Sequence, residues 1–376
     1  MVTGGTLLQT ARSAFRIRDA VTLHTGGCVD DQGLALVMAL NNARIDLPIT
    51  WLTETSQSTT CLDNLYEGSD ESRKRIRVIP RKSPSGVKAF ASSRYVFFTH
   101  GLFGSHMPPR NRVVVNLWHG MPFKRIGGRP VHATYTTATS SNWRHFMADS
   151  FNQDPQSILS LGLPRNDRLT ESISTARVRS ALGLDDQPLI AWLPTYRNTK
   201  FPGSSTDGTD YGNPFNLPNA SADRVNELAQ HAGWHIVLKP HPYAVQSDPD
   251  TQSGLSMLTD EMLHDRGLTL YQLLGAADAL ITDYSSVWID FLLTSRPIVF
   301  VTDDIREYAG TRGFNLTPPE DWLPGHQCSS LEGVIASVAE SLDSDPHAGR
   351  RGVALKWHHD YPVGSAAERL IDRVFR

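Results

Sequence analysis

The sequence is poor in cysteine. Its three cysteines, Cys28, Cys61 and Cys328, stand far apart in 376 residues. Without a CxxC pair they exclude a disulfide framework and a structural zinc site, and a reducing cytoplasm fits. No apolar run approaches the ~20 residues that a membrane-spanning helix requires. Arg12, Arg16 and Arg18 have no apolar stretch behind them, so Met1–Arg18 does not read as a secretory signal. Thr10–Arg18 reads either as a short basic amphipathic helix lying on an anionic membrane or as a solvated first helix. Charge of one sign is also scarce. The net charge of −3 carries no global basic signature for nucleic acid. There is no GxxxxGK[ST] loop, no GxGxxG fingerprint and no short-period repeat.

What is present is an alternation of strands and helices. Ala20–His24, Ile49–Thr53, Arg75–Ile79, Arg94–Thr99, Arg112–Trp118 and Thr134–Ser140 read as strands of a first half. Leu189–Leu193, Trp234–Leu238, Ala279–Thr282 and Ile298–Thr302 read as strands of a second. Gly183 closes a Ser174–Leu182 helix and marks the division. This pattern predicts an α/β protein of two Rossmann-like domains facing each other across a cleft, residues 1–183 and 184–376. The final amphipathic helix is a candidate to cross back to the first domain.

Ligands of open parallel sheets bind at the carboxyl ends of the strands. Two successive strands of the first half end in His100-Gly101 and His119-Gly120. Lys124 and Arg125 follow the second of these closely. Gly26-Gly27, after the first strand, is either a simple turn or a place where a ligand meets backbone. In the second half, Ala279–Phe300 reads strand, polar turn, helix, with Ser285 or Ser286 where an N-cap belongs. Two readings fit: an ordinary capped βαβ unit, or an anion site at a helix start. Arg197, Lys239 and His241 also fall at strand ends. Together with the serines they describe a polyanion pocket suited to a diphosphate. With no DxD run at a strand end in this half, charge neutralisation without a metal or cofactor is the simplest expectation. The polar stretch Asn198–Ala220 reads as a loop near that site.

The strings NLWHGMPFKRIG, WLPTYR, LKPHP, LLGAADALITDYSSVWIDF, RPIVF and REYAGTRGF, in this order, resemble the CDP-glycerol glycerophosphotransferase family. These are teichoic-acid and capsule polymer synthases and primases of GT-B-type fold. The resemblance runs from about Arg94 to the last helix, and the chain is primase-sized. It implies attack by an acceptor hydroxyl on the glycerol-bearing phosphorus of CDP-glycerol, with release of CMP. The acceptor would be a lipid-linked saccharide or a growing cell-surface polymer, reached from the cytoplasm at the inner membrane face without spanning it. Carried over by motif, His119 is the general base and Lys124 supports the acceptor or the developing charge. Arg197, His241, Ser285 and Ser286 hold the diphosphate. Asp283 fixes the turn or orients His241. Asp290 falls where such enzymes place an acid near a ribose, and a plain helix carboxylate fits as well. Tyr308 and Arg312 shape the nucleotide pocket. Two positions depart from the family. Met121 and Phe123 stand where threonine and leucine are usual, which bears on the acceptor. Val363-Gly364 replaces an Asp-Gly, which bears on capping of the last helix. The rival readings are a nucleotide-sugar glycosyltransferase of the same fold, a CDP-ribitol-dependent enzyme and a silent nucleotide-binding scaffold.

Overall fold

The computed structural model describes residues 16–27, 29–54, 58–101, 111–128, 130–170, 174–195, 197, 207–240, 253–362 and 364–376. Cys28, His241, Val363, most of the Thr10–Arg18 segment and the first part of the 198–220 stretch lie outside the described residues. The chain forms two compact units. Residues 1–121, 127–168 and 359–376 make the first, and residues 122–126 and 169–358 make the second.

The first unit is built on seven strands: β1 (Arg18–His24), β2 (Ile49–Thr53), β3 (Ile76–Pro80), β4 (Ser93–Phe98), β5 (Val113–Asn116), β6 (Tyr135–Ala138) and β7 (Ile158–Ser160). Their order is β3-β2-β1-β4-β5-β6-β7, and every pairing is parallel. The order reverses between β1 and β4. Helices shield the strands, which are accordingly apolar on both faces. On one face Leu34, Val37 and Leu40 of the Asp31–Asn42 helix pack with Val21, Leu23, Trp51 and Phe97. Asp30 caps that helix by accepting from the Gly33 amide at 2.9 Å. Gly33 is a close approach, since a Cβ there would overlap the Trp51 indole.

The Ala366–Phe375 helix packs on the Asp31–Asn42 helix, with Leu370 and Ile371 buried in the same cluster. Its cap comes from far along the chain. The Asp167 carboxylate accepts from Ala366 N at 2.8 Å and Ala367 N at 2.9 Å. These are two of the orphan amides that an N-terminal aspartate would otherwise serve.

The second unit holds six strands: β8 (Leu189–Leu193), β9 (His235–Leu238), β10 (Leu255–Met257), β11 (Ala279–Thr282), β12 (Ile298–Val301) and β13 (His326–Cys328). The order is β10-β9-β8-β11-β12-β13, again all parallel, and it reverses between β8 and β11. The sequence places a boundary at Gly183. In the structure the Ser174–Leu182 helix packs on the Leu270–Ala276 helix. Arg179 reaches Asp278 at 2.9 Å, so the second unit starts at Leu169. The segment 122–126 also belongs to this unit. Lys124 bridges Phe314 in antiparallel fashion, and Phe123 packs on Phe314 and Trp288.

Candidate active site

Both sheets present the carboxyl ends of their strands at one edge, and each edge has a crevice where strand order reverses. In the first unit three adjacent strands deliver histidines there. His24 ends β1, while His100 and His119 follow β4 and β5. The rings of His100 and His119 stack at 4.5 Å with an interplanar angle of 8°. The ring of Trp118 also lies against that of His119, with centroids 3.9 Å apart. His119 is exposed, and its Nδ1 lies 3.2 Å from the Thr99 carbonyl oxygen. A carbonyl only accepts, so Nδ1 carries the proton of the neutral ring and Nε2 keeps its lone pair. This is the tautomer a general base needs.

The loop that carries His119 is fixed from below. Trp118 adopts φ +54°, unusual for a large side chain. The buried Gln32 amide donates to the Trp118 carbonyl at 3.0 Å and accepts from the Arg165 amide at 3.1 Å. One side chain thus joins the loops after β5 and β7. His24 is buried, near Glu54 at 3.4 Å and Arg81 at 3.3 Å. Burial, then Arg81, lowers its pKa below the usual histidine value. Desolvation, then His24 and Arg165, lowers His100 to about 4. Gly26 serves His100 directly, because a Cβ there would meet the imidazole at 2.5 Å. Between the two readings of Gly26-Gly27, Gly26 makes room for a side chain of the protein itself.

In the second unit the crevice between β8 and β11 holds a buried ionic network. Asp283, one residue past β11, accepts from Thr195 N at 2.9 Å, the Thr195 hydroxyl, Arg197 Nη1 at 2.8 Å, Asn216 Nδ2 at 3.0 Å and Ser285 N at 3.1 Å. Arg197 also grips Asp304 with two bonds, Nε at 2.7 Å and Nη2 at 3.0 Å. Asp304 further accepts from the Tyr284 hydroxyl and Thr209 N, each at 2.9 Å. The guanidinium lies over the rings of Tyr284 and Tyr308, at 5.1 and 4.9 Å. Burial opposes the ionised Asp283, but Arg197, Lys124 and the Thr195 bonds outweigh it and its pKa falls below the usual carboxylate value. Lys124 lies half-buried beside this network, its Nζ 3.4 Å from the Thr195 hydroxyl. Desolvation lowers it to about 8, against the pull of Asp283.

The site residues expected from sequence are distributed as follows. Arg197, Asp283, Lys124 and Tyr308 come together. Arg197, however, is 3% exposed and engaged by two carboxylates, so it orders the edge rather than offering a free cation to a ligand. Ser285 and Ser286 are half-buried beside it, but neither caps the helix. Ser286 occupies the N-cap position in αR geometry without a side-chain bond, and the helix is only Val287–Phe291. The Asp283 carboxylate takes the Ser285 amide instead, an internal anion at the helix start. Among the described residues neither serine hydroxyl has a hydrogen-bond partner. Lys239 follows β9 and pairs with Asp260 at 3.0 Å. Asp290 is buried and accepts from the Tyr271 hydroxyl at 2.6 Å, a core contact. Arg312 donates to the Arg125 carbonyl at 2.8 Å and so ties the 122–126 segment. Sequence reasoning missed Asp304, Thr195, Asn216, Gln32 and Glu54. Asp304 was one of several acids after β12, and no spacing singled it out.

A profile of the family described as CDP-Glycerol:Poly(glycerophosphate) glycerophosphotransferase matches residues 22–376. The chain is 27% identical over 292 residues to a teichoic acid poly(ribitol-phosphate) polymerase of Bacillus spizizenii, covering 70% of this chain and 43% of that one. It is 25% identical to a teichoic acid ribitol-phosphate primase of the same organism, covering 76% and 75%. With a teichoic acid glycerol-phosphate primase of Bacillus subtilis the values are 26%, 64% and 57%. The chain spans about half the length of the first of these relatives. Among solved structures, the wall teichoic acid polymerase TagF superposes with a TM-score of 0.73 at 19% identity, covering 98% of this chain and 93% of that one. TagF has also been solved after soaking with CDPG. A UDP-N-acetylglucosamine 2-epimerase from Listeria monocytogenes gives 0.53 at 14% identity, covering 95% and 96%. These likenesses show an α/β fold of two Rossmann-like units, of GT-B type. The profile match over nearly the whole chain places it in the family: this chain belongs to the CDP-glycerol:poly(glycerophosphate) glycerophosphotransferases.

Proposed function

We propose that the chain transfers glycerol phosphate from CDP-glycerol to a hydroxyl of a lipid-linked saccharide or cell-surface polymer in teichoic acid synthesis. The observation that carries the chemistry is the exposed imidazole of His119, with Nδ1 tied to a carbonyl and Nε2 left basic. Nε2 takes the acceptor hydroxyl proton as its oxygen bonds to the glycerol-bearing phosphorus. The bond from that phosphorus to the CMP oxygen breaks, and CMP leaves. A positioned base of this kind supplies about 10²–10⁴ in rate.

On the donor side, Ser285, Ser286, Lys124 and Lys239 present hydroxyls and ammonium groups at the carboxyl edge of the second sheet, and His241 is assigned there by its motif. Arg197 holds Asp283 and Asp304 in place and acts through them, and Tyr308 and Arg312 frame the nucleotide. Fixed donors of this type stabilise the charge that develops on transferred phosphoryl oxygens. We assign no resident metal to the reaction. Asp283, the carboxylate at the crevice, already accepts from five donors and keeps little capacity for a cation. Among the described residues no helix is long and apolar enough to cross a membrane. We place work on a lipid-linked acceptor at the cytoplasmic face of the membrane, by peripheral contact, as a further part of this proposal.

The experiment measures CMP release by purified protein supplied with CDP-glycerol and a glycerol-phosphate-primed acceptor. His119→Asn should reduce kcat by at least 10²-fold and leave CDP-glycerol binding intact, with EDTA without effect on the wild type. Weakened donor binding at unchanged kcat would refute the role of His119. CDP-ribitol is the second reading, favoured by the ribitol-phosphate relatives. Faster CMP release from CDP-ribitol than from CDP-glycerol would select it.

A further inference from the structure

Thr99, the buried residue between β4 and His100, holds two histidines by two different atoms. Its carbonyl oxygen accepts from His119 Nδ1 at 3.2 Å, and its hydroxyl lies 2.9 Å from His100 Nδ1. The Gly26 amide donates to the same hydroxyl at 3.2 Å. A hydroxyl that accepts from Gly26 still has its own proton to give, and a buried donor needs an acceptor. Among the described residues that acceptor is His100 Nδ1. The proton of the neutral His100 ring therefore sits on Nε2, whereas that of His119 sits on Nδ1. One threonine thus sets opposite tautomers in adjacent rings. The rings stack at 4.5 Å and 8°. Both turn Nδ1 to Thr99, and the two nitrogens of an imidazole point in nearly opposite directions, so both Nε2 edges face away from Thr99. Gly26 packs against His100 too closely for a Cβ, and the Trp118 ring lies against His119, so neither ring is free to turn. His100 is exposed, and among the described residues its Nε2 has no hydrogen-bond partner. Desolvation, then His24 and Arg165, hold its pKa at about 4, so at neutral pH the ring keeps a single proton.

We propose that His100 selects the acceptor: its Nε2 donates a hydrogen bond to an oxygen on the carbon next to the hydroxyl that His119 deprotonates. The inference rests on the transfer reading and names the chemistry of the acceptor end. That end is a polyol with oxygens on adjacent carbons. One oxygen gives its proton to His119 Nε2 and bonds to phosphorus, while its neighbour accepts from His100 Nε2. The stacked rings keep the two Nε2 edges side by side, at a spacing that two such oxygens can bridge with one hydrogen bond each. The two imidazoles then divide the work. His119 takes a proton, and His100 lends one without releasing it, as a neutral imidazole can. An alcohol with no neighbouring oxygen leaves the His100 donor unpaired once the acceptor displaces water from it. A site built to bond a substrate oxygen rejects an analogue that lacks it.

The first test needs no turnover. Nitrogen NMR of the imidazole rings in the intact chain, assigned by the signals lost in His100→Phe and His119→Asn, should find the proton on Nε2 of His100 and on Nδ1 of His119. The same tautomer in both rings would overturn the proposal. The second test is steady-state kinetics with two acceptors that differ only at the end, one a vicinal diol and the other a primary alcohol with no neighbouring oxygen. His100→Phe keeps a ring on His119 but has no N–H. It should lower kcat/KM at least tenfold for the diol and less than twofold for the plain alcohol, with KM for CDP-glycerol unchanged. His100→Gln, whose amide can reach the place of Nε2, should recover most of the loss. Equal losses on both acceptors, or none on the diol, would overturn the proposal. If His100→Phe does not fold, the wild type decides: it should prefer the diol at least tenfold, and no preference would overturn the proposal. A protein that releases no CMP with either acceptor would defeat the transfer reading. A shift of the His100 Nε2 signal on adding the diol, absent with the plain alcohol, would then still uphold the contact, and no shift would overturn it.

Discussion

Replacing Asp304 by asparagine tests the proposition that the edge of the second unit is held by paired buried charge. Asp304 is 1% exposed and Arg197 3% exposed. With Asp283 ionised and Lys124 protonated, the cluster of two acids and two bases is neutral. Asp304→Asn keeps the size of the side chain but removes one negative charge and at least one of the two Arg197 bonds. The cluster then carries a net positive charge out of reach of water. Breaking one partner of a buried pair typically costs about 3–5 kcal/mol, because the survivor is left uncompensated. For a unit of roughly 200 residues, each kcal/mol moves Tm by about 2–4 °C, so the second unit should melt about 6–20 °C lower. The assay is thermal unfolding followed by circular dichroism, with hydrogen exchange at the Thr195 amide, which Asp283 holds. Arg197→Met combined with Asp304→Leu supplies the control. Removing both charges should cost less than the sum of the single changes, since neither charge is then stranded. If Asp304→Asn costs under about 1 kcal/mol, or the double change is additive, the ionic network does not hold the edge.

The pH dependence follows from Lys124. Its folded pKa of about 8 lies below its ordinary value of 10.5, so the unfolded chain binds more protons between these two. Stability should therefore rise with pH across that window, while transfer that needs the ammonium should fall as pH passes 8. Lys124→Arg should move the alkaline limb of the rate profile upward, and an unmoved limb would exclude Lys124 as its source. Gln32→Met keeps length but cannot hold the Trp118 carbonyl or the Arg165 amide. It should lower kcat by about 10²-fold, the scale of an ångström of misplacement, with KM for CDP-glycerol unchanged. Gly26→Ala forces a Cβ to 2.5 Å from the His100 ring. It should shift the NMR signals of His100 and of His119, whose ring stacks on it. Asp167→Ala strips the cap from the last helix and should cost about 0.5–2 kcal/mol, read in urea unfolding of the first unit.

What sequence reveals about this protein depends on how each feature is held. Strands buried on both faces, such as β8 and β11, are continuous apolar runs, and their limits were legible to the residue. The strands that went unread are β7, β10 and β13, each three residues long and each at a sheet edge. Three residues are too short to show a period, whereas β3, five residues long at the remaining edge, was legible. The site divides in the same way. His119, Lys124, Arg197 and Asp283 each belong to a local string that marks a strand end. Their partners do not, since Asp304 lies 107 residues from Arg197 and Gln32 lies 133 from Arg165. Such contacts arise only when parallel strands bring their carboxyl ends to one edge, so they belong to topology. The same reasoning explains why Ser286, which does occupy the N-cap position, makes no side-chain cap bond. Local pattern offered Ser285 or Ser286 as the cap, but the fold had already set Asp283 against Thr195 and Arg197, and that carboxylate takes the Ser285 amide first. Both crevices thus obey one rule. The residue proposed to meet a ligand is visible in its own segment, and the residue that holds it in place comes from another strand.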